Sequence, residues 1–460
     1  MGKMIPLNGR IAIIDDVIEQ ALPLMRVLSK NRIPYVFYKG NRMEDLPDKP
    51  DNDIRILFLD LNLLDGRDAQ PKDIQSALYS VIVRIISPSN YPYVIVLWSR
   101  QEKQYKSLLE ELFADRLKQC APIAILEWIK SDYFPNYADI EENNDNEDRI
   151  FDELKKVLST IPAYTYLLQW ENCIHNSADK TIQAVFHDIQ STNDWQDNAN
   201  CVLDMFAHSY LEKRYSEASK LEKVRSSLLF FNDVYYDSLE DLIQNEIFEN
   251  VDADIDYDTT EKGQRVIKSN INYSILFSKK VISIKQPGCV FIGEDGNLLT
   301  KDLSFAILND SLDTQRIHEQ VEKENAGKCK KELKKLFDNC FKRTKQEIKD
   351  SFIQACGVVV TPQCDYAQNK TKYDRVLLGI IISADHKNEL DIKSDSIYVS
   401  PVFTHNSQPC IMVLHFRYFK AELIEIKPEL TPLFRLRNSI LSEIQSKLAR
   451  HISRQGILNL

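Results

Sequence analysis

The stretch that decides the fold of the N-terminal third is ILFLDLNLLDG, residues 56–66. It begins with four large apolar residues, reaches the carboxylate of Asp60, and closes on Asp-Gly. An uninterrupted apolar run of this kind is typical of a strand that is buried on both faces of a parallel sheet. Asp60 would stand at the carboxyl end of that strand, which is the edge where open α/β sheets bind their ligands. The pattern therefore marks Asp60 as a candidate functional residue.

The composition is that of a globular protein with more than one domain. The chain has 460 residues, of which 43% are hydrophobic and 27% charged, and about two or three domains are expected at this length. The net charge of −10 argues against a protein dominated by nucleic-acid binding. No window approaches the roughly 18 uncharged apolar residues of a membrane-spanning helix. The nine cysteines form no C-x-x-C pair, and their odd number indicates free thiols and a cytoplasmic protein.

Around residues 56–66, short apolar runs alternate with segments of helical periodicity. A (βα)5 alternation of this kind predicts a doubly wound, five-stranded parallel sheet. The segment 41–53 holds two prolines and many charges, so we expect a helix there only in reduced form. The predicted strands are 10–14, 35–38, 56–60, 92–98 and 122–126, and the predicted helices are 17–30, 72–86, 101–118 and 150–160.

Four charged side chains fall at or just past the ends of predicted strands one, three and five: Asp15, Asp16, Asp60 and Lys130. In a right-handed α/β sheet these ends converge on one crevice. Three crowded carboxylates repel each other unless a hard cation neutralises them, and Mg²⁺ accepts oxygen ligands in that arrangement. An oxygen of Asp60 could then attack a phosphoryl donor, while the metal and the Lys130 ammonium offset the charge on the transferring group.

The N-terminal third thus resembles a CheY-like receiver domain, the phosphoacceptor half of two-component signalling. The matching features are the acidic pair after strand one, an Asp in a D-x-x-x-x-x-G context after strand three, and a Lys after strand five. The resemblance covers about residues 8–135, or up to 160 with the final helix, and implies the receiver or flavodoxin-like form of the sheet. It also implies a histidine kinase or another phosphodonor protein as one partner, and a downstream effector protein as another.

The resemblance further implies a role for each site residue. Asp60 would accept the phosphoryl group, and Asp15 and Asp16 would bind Mg²⁺ together with it. The main-chain carbonyl of Asn62 would complete the protein's share of the coordination. Lys130 would pair with the phosphoryl group.

Two positions depart from the receiver pattern. Receivers usually carry Thr or Ser at the end of strand four, and an ungapped reading places Trp98 there, with Ser99 one residue later. Either Ser99 supplies the hydroxyl through a shifted strand end, or the coupling differs. Receivers also follow the Lys with Pro, where this chain has Ser131. An adaptor that carries a pseudo-receiver, with the fold but without the switch, is therefore an open alternative.

Beyond the receiver-like domain, 1–160, we expect a helical connector, 161–260, and an α+β output domain, 261–460, with a long helical insertion at about 312–353. Helices are predicted at 163–190, 196–213, 215–232 and 237–250 from their apolar spacing. Strands are predicted at 273–277, 281–284, 290–292, 357–361, 375–382, 397–399, 410–414 and 420–426, with a closing helix at 436–451.

The output is harder to predict from the sequence. No helix-turn-helix pattern is present, which favours protein interaction over DNA binding. Nucleic acid could bind the basic helix 328–345, but interleaved acids there favour a solvated face. The basic tail that begins at Arg450 could bind an anion. Together these features predict a response-regulator-like signalling protein with a non-DNA-binding output, and a stress or antiviral defence system is one setting for it.

An enzymatic output is the second alternative. The predicted strand 357–361 leads into a Cys-Asp loop, and Cys364 could act as a nucleophile beside Asp365. His386, His405 and His415 are the candidate bases, although the spacing selects none of them. A buried free cysteine is the commoner explanation for such a residue.

Overall fold

The computed structural model describes residues 10–61, 63, 70–99, 106–133, 144–187, 194–246, 271–278, 283–293, 298–368, 370, 372–424, 427 and 429–453. The chain divides into two compact units. The first comprises residues 1–202 and 228–254, and the second comprises 203–227 and 255–460. Among the described residues, no helix is both long enough and apolar enough to cross a membrane.

Five parallel strands form the sheet of the first unit, in the order β2-β1-β3-β4-β5. They are β1 Ile11–Asp15, β2 Tyr35–Lys39, β3 Ile56–Leu59, β4 Val94–Ser99 and β5 Ala124–Ile129. The predicted five-stranded parallel sheet is confirmed. The strand order reverses between β1 and β3, and this reversal opens a crevice at the carboxyl ends of the two strands.

Helices cover both faces of this sheet, so every strand carries apolar side chains on both sides. In β3, Phe58 packs in one core layer and Leu57 and Leu59 pack in the other. The first layer includes side chains of α1 (Ile18–Lys30) and α5 (Asn144–Ser159), and the second includes side chains of α2 (Pro71–Ile85) and α3 (Lys106–Asp115). A single turn, α4 (Lys130–Tyr133), follows β5, and the segment 41–53 holds only one 3-10 turn, Met43–Asp45, as expected.

Three long helices follow, α6 (Pro162–Phe186), α7 (Trp195–Leu211) and α8 (Lys220–Glu246). The prediction of separate helices at 215–232 and 237–250 was wrong, because α8 runs without a break through 233–236. That linker contains no Gly or Pro, so nothing in the backbone interrupts the helix there. Residues 247–250 lie outside the described part of the chain.

Helix α6 is tied to the sheet edge opposite the carboxyl ends of the strands. Glu171 accepts hydrogen bonds from Arg55 Nη2 at 2.8 Å and from Arg10 Nη1 at 3.3 Å. Arg10 and Arg55 directly precede β1 and β3, and the Tyr164 hydroxyl donates to the carbonyl oxygen of Arg55. These contacts hold α6 below the two strands that carry Asp15 and Asp60.

The second unit contains an eight-stranded sheet in the order β10-β12-β9-β8-β7-β13-β6, with β11 paired to β12. Each pairing in this sheet is antiparallel. The strands are β6 Phe277–Ser278, β7 Cys289–Gly293, β8 Ile353–Val359, β9 Asp374–Ser383, β10 Ile397–Val399, β11 Phe403–His405, β12 Gln408–Glu422 and β13 Leu430–Leu436. The helices that accompany this sheet include Lys301–Ser311, Thr314–Glu324, Lys330–Ser351, Gln363–Ala367 and Asn438–Ser453.

The structure corrects two helix and strand assignments that precede β8. Residues 271–276 are helical and only Phe277–Ser278 form a strand, so the predicted strand 273–277 was wrong. The single helix predicted over about 312–353 is two helices, Thr314–Glu324 and Lys330–Ser351. Gly327 lies between them at φ +102, a conformation that an L side chain rarely adopts and that ends the helical path.

Two further corrections concern the strands after β9. The predicted strand 410–414 and the first part of the predicted strand 420–426 belong to one strand, β12, which ends at Glu422. Its pairing with β9 shifts register between Leu414 and Phe419. Residues 425–426 lie outside the described part of the chain, as do 281–282 of the strand predicted over 281–284. Strand β13 was not predicted, because Pro432 and Arg435 interrupt its apolar pattern.

Candidate functional site

The strand ends bring the predicted acidic residues together. Asp15 is the last residue of β1, Asp16 follows it, and Asp60 directly follows β3, the neighbour of β1. One carboxylate oxygen from each lies within 4.8 Å of the others. All three residues are buried, with Asp15 at 0%, Asp16 at 6% and Asp60 at 5% exposure. The first unit therefore contains a buried pocket of three carboxylates at the carboxyl edge of its sheet.

Lys130 directly follows β5 and reaches across the sheet edge into this pocket. Its Nζ donates to Asp15 Oδ2 at 2.6 Å and to Asp60 Oδ2 at 2.8 Å, and to Gln20 Oε1 at 3.3 Å. The Lys130 side chain is 1% exposed. One ammonium thus bridges carboxylates from two neighbouring strands. Among the described residues, three carboxylates and one ammonium lie together in the pocket, so these four groups carry more negative than positive charge.

Backbone hydrogen bonds fix the positions of these side chains. Asp15 Oδ1 accepts from the Val17 amide at 3.0 Å, so both oxygens of Asp15 have hydrogen-bond donors. The Asp60 amide donates to the Ile14 carbonyl at 2.9 Å, which locks the end of β3 to β1. Backbone contacts at the strand ends therefore fix the positions of Asp15 and Asp60.

Burial and charge determine how these groups titrate. Burial raises the pKa of Asp15 to about 6; Lys130 opposes this rise and the nearby Asp60 adds to it. Burial alone would lower the pKa of Lys130, but the charges of Asp60 and Asp15 outweigh it and the pKa is raised. Lys130 therefore stays cationic, whereas Asp15, with its pKa raised to about 6, is about half protonated near that pH.

A hard divalent cation fits this donor set. Mg²⁺ and similar ions prefer carboxylate oxygens, and a charge of +2 would neutralise the excess negative charge that the buried pocket carries. Within the described ranges this is the one group of three or more carboxylate, histidine or cysteine side chains placed to hold a metal ion. Asn62 lies outside the described residues, so its carbonyl remains a predicted ligand.

Trp98 is buried in the core of the first unit. Its ring packs against those of Phe58 at 6.3 Å, Trp128 at 6.4 Å and Tyr133 at 5.9 Å between centroids. We call these four rings the aromatic cluster. β4 continues to Ser99, whose backbone is in register with Ile129, the residue before Lys130. The Ser99 side chain lies outside the described part of the chain, so its role remains a prediction.

Sequence reasoning missed Gln20 and the aromatic cluster. Gln20 lies in the first turn of α1 and accepts a hydrogen bond from Lys130, and a polar residue between Ile18 and Leu22 gave no periodic signal for this. Tyr133 is one turn beyond Lys130 on α4, and its hydroxyl donates to Glu153 of α5. The cluster therefore links the Lys130 turn to β4 and to α5.

The Cys-Asp segment of the second unit has a different geometry. Cys364 is exposed on the short helix Gln363–Ala367, and its Sγ lies 3.8 Å from Asp365 Oδ1. Asp365 pairs with Arg375 at 3.3 Å. The three candidate bases have other hydrogen-bond partners, namely Ser351 for His386, Gln354 for His405 and the Arg417 amide for His415. Among the described contacts, none of these rings is hydrogen bonded to Cys364.

No protein-family model matches the chain, and neither a curated protein nor a solved structure matches it. The five-stranded parallel sheet and its acidic pocket are compatible with a receiver fold. What the pocket can do follows from its groups: it can hold a hard cation, and it presents a carboxylate beside a fixed ammonium.

Proposed function

We propose that the first unit is a receiver domain that accepts a phosphoryl group on Asp60 with the help of Mg²⁺. The observation that supports this most is the Lys130 ammonium, which bridges Asp15 and Asp60 inside a buried pocket of three carboxylates. A solvated loop carboxylate or a surface lysine would need neither burial nor such contacts. Burying four charges has a large desolvation cost, which is typical of functional sites.

The residues divide the chemistry between them. An Asp60 oxygen attacks the phosphorus of the donor; for a phosphohistidine donor the phosphorus–nitrogen bond breaks and the imidazole leaves with the bonding pair and gains a proton. Asp15 and Asp16 hold the cation, which supplies charge neutralisation when it is bound. Lys130 orients Asp60 through Oδ2, and after transfer it pairs with phosphoryl oxygens.

We propose that the aromatic cluster transmits the effect of phosphorylation at Asp60 from the acidic pocket to the rest of the first unit. An aspartyl phosphate adds negative charge on the Asp60 side, so it draws the Lys130 ammonium away from Asp15. Lys130 begins the turn that ends at Tyr133, and the Tyr133 ring packs in a tilted orientation against those of Trp98 and Trp128. A shift of Lys130 is therefore expected to repack these rings. The second unit would serve as a non-DNA-binding output that acts on an effector protein.

The alternative function is an adaptor with a pseudo-receiver. It is favoured by one observation: Trp98, which an ungapped reading places where receivers usually carry Thr or Ser, is buried in the aromatic cluster. An indole in the core supplies no hydroxyl for a phosphoryl group. Partner docking on the receiver face would then replace phosphorylation as the regulatory event.

Phosphoryl uptake separates the two functions. The full chain is incubated with acetyl phosphate and Mg²⁺, and its intact mass is measured. The receiver proposal predicts a gain of one phosphoryl group that vanishes in Asp60→Asn and on chelation of Mg²⁺. Asp53→Asn, at an exposed carboxylate before the same strand, is the matched control and should retain uptake. No uptake at saturating donor would reject phosphorylation and favour the adaptor.

A further inference from the structure

A cavity of about 620 Å³ lies at the β10 edge of the second unit's sheet, far along the chain from the acidic pocket. Strand β10 contributes Ile397 and Val399, the segment between β9 and β10 contributes Lys387 and Ile392–Asp395, and the last two turns of the closing helix contribute the remaining wall. A volume of this size falls in the range of about 300–1,000 Å³ that is usual for small-molecule sites. Size and location therefore make it a candidate ligand site.

The charge of its lining is unusual for this chain. Four permanent cations, from Lys387, Lys393, Lys447 and Arg450, line it together with His451, against the single carboxylate of Asp395. The whole chain carries a net charge of −10, so this cavity concentrates positive charge on an acidic protein. Like charges that converge on a concave surface repel each other and focus a positive potential into it. An anionic ligand would relieve that repulsion.

Helix electrostatics explains only part of this arrangement. Basic residues in a last turn interact favourably with the helix dipole, which accounts for Arg450 and His451. Lys447 pairs with Glu443 at 3.0 Å on the same helix. Lys387 lies in the last turn of a separate 3-10 helix, Ala384–Glu389, and Lys393 lies in the loop that follows it. The dipole of the closing helix therefore explains the position of neither side chain. Their convergence on the same cavity is the observation that points to a ligand.

The cavity also has an apolar wall. Ile397 is 5% exposed and forms its floor on β10, whereas Ile392 is 59% exposed at its side. The exposed aliphatic side chain of Ile392 lies beside the four cations and can contact an uncharged part of the ligand. Lys447 is held in place by the Tyr398 ring, whose centroid lies 5.1 Å from its Nζ. The site therefore combines concentrated positive charge with a small apolar surface.

We propose that this cavity binds a small molecule that carries several phosphate groups. Phosphate oxygens accept strong charge-assisted hydrogen bonds from Lys and Arg, and Arg can bind them through two parallel donors. A nucleoside polyphosphate and an inorganic polyphosphate share this chemistry, and they differ in the group that would contact Ile392. The proposal is independent of the acidic pocket, so binding is expected to persist in Asp60→Asn.

Calorimetric titration of the full chain with ATP and with inorganic tripolyphosphate tests the proposal. The variant is Lys393→Glu/Arg450→Glu, and the matched control is Lys331→Glu/Lys342→Glu, which reverses two exposed charges on the helix Lys330–Ser351. Loss of two charge-assisted contacts predicts an affinity at least about a hundredfold lower for the variant. The control should bind as the unmodified chain does.

The two probes distinguish the sources of the phosphate groups. Tighter binding of ATP identifies a nucleotide, and equal or tighter binding of tripolyphosphate identifies phosphate alone; each of these outcomes supports the site. The absence of binding heat with both probes at low salt overturns the proposal, and so does an equal loss of affinity in the control. The variant Lys393→Gln/Arg450→Gln removes the two charges without reversing them, so it is less disruptive to folding than the charge reversal. It should also lose binding.

Discussion

Replacing Lys130 by methionine removes the ammonium that bridges Asp15 and Asp60 and keeps a side chain of similar length. Three carboxylates then remain within 4.8 Å of one another, in a site where Lys130 itself is 1% exposed. We expect Lys130→Met to destabilise the first unit strongly and to abolish phosphoryl uptake. Added Mg²⁺ should recover part of the stability, because it supplies positive charge to the same oxygens.

The magnitude follows from the burial of the pair. Removing one partner of a buried ion pair costs about 3–5 kcal/mol, because the remaining charge is left uncompensated. Protonation of Asp15 limits this cost. Burial already raises the pKa of Asp15 to about 6, although Lys130 lowers it and Asp60 adds to the rise. Without Lys130 that pKa rises further and Asp15 takes up a proton near neutral pH. We therefore expect a loss of about 3 kcal/mol at pH 7.5 and a smaller loss at pH 5.

Urea unfolding followed by tryptophan fluorescence is the assay. All four tryptophans, at 98, 128, 170 and 195, belong to the first unit, so the signal reports that unit alone. Lys106→Met is the matched control, since Lys106 pairs with Glu127 at 2.5 Å but both side chains are about one third exposed. Such a surface pair contributes about 0–1 kcal/mol. If Lys130→Met cost no more than Lys106→Met, the account of the pocket as a buried charge network would be refuted.

Three further results are expected. Because burial raises the pKa of Asp15 to about 6, the folded chain without metal binds an extra proton between about pH 4 and pH 6, and Asp15's contribution to stability rises as the pH falls through that window. Mg²⁺ must displace this proton, so the apparent affinity for Mg²⁺ should fall by up to about tenfold per pH unit below pH 6. A constant Mg²⁺ affinity from pH 7 to pH 5 in a fluorescence titration would contradict this. Glu171→Gln removes the carboxylate that binds Arg55 and should destabilise α6 by about 2–3 kcal/mol, which is measured as faster hydrogen exchange in Pro162–Phe186. Unchanged exchange would show that this contact does not stabilise α6. Gly379→Ala places a Cβ 2.4 Å from the Val413 carbonyl oxygen, which backbone cannot easily avoid, so the calorimetric transition of the second unit should lose about 1–3 kcal/mol; an unchanged transition would mean that β9 and β12 can separate freely.

The first sheet and its pocket could be predicted because local and global signals agree there. Each strand is an apolar run, and the charged residues Asp15, Asp60 and Lys130 stand at strand ends. Parallel topology places those ends along one edge, so the chain order alone implied their proximity. The position of Trp98 could not be predicted in the same way. It depends on where β5 ends, since Trp128 and Tyr133 complete its packing.

Long-range polar contacts and strand continuity were the features that sequence patterns did not show. Glu171 lies 116 residues from Arg55, and a single pair of this kind leaves no periodic trace. In the second unit, the aromatic and β-branched residues around 273–277 favour a strand, but the chain is helical until Phe277. The β12 strand absorbs a register shift after Leu414, where the sequence alone suggested an end.

The most direct test of the central claim is to locate the phosphoryl group after reaction with acetyl phosphate and Mg²⁺. Borohydride reduces an aspartyl phosphate to homoserine, and peptide mass spectrometry then identifies the modified position. The receiver account predicts homoserine at position 60 alone. Homoserine at position 15 or 16, or a phosphoryl group carried by any side chain other than Asp60, would contradict it.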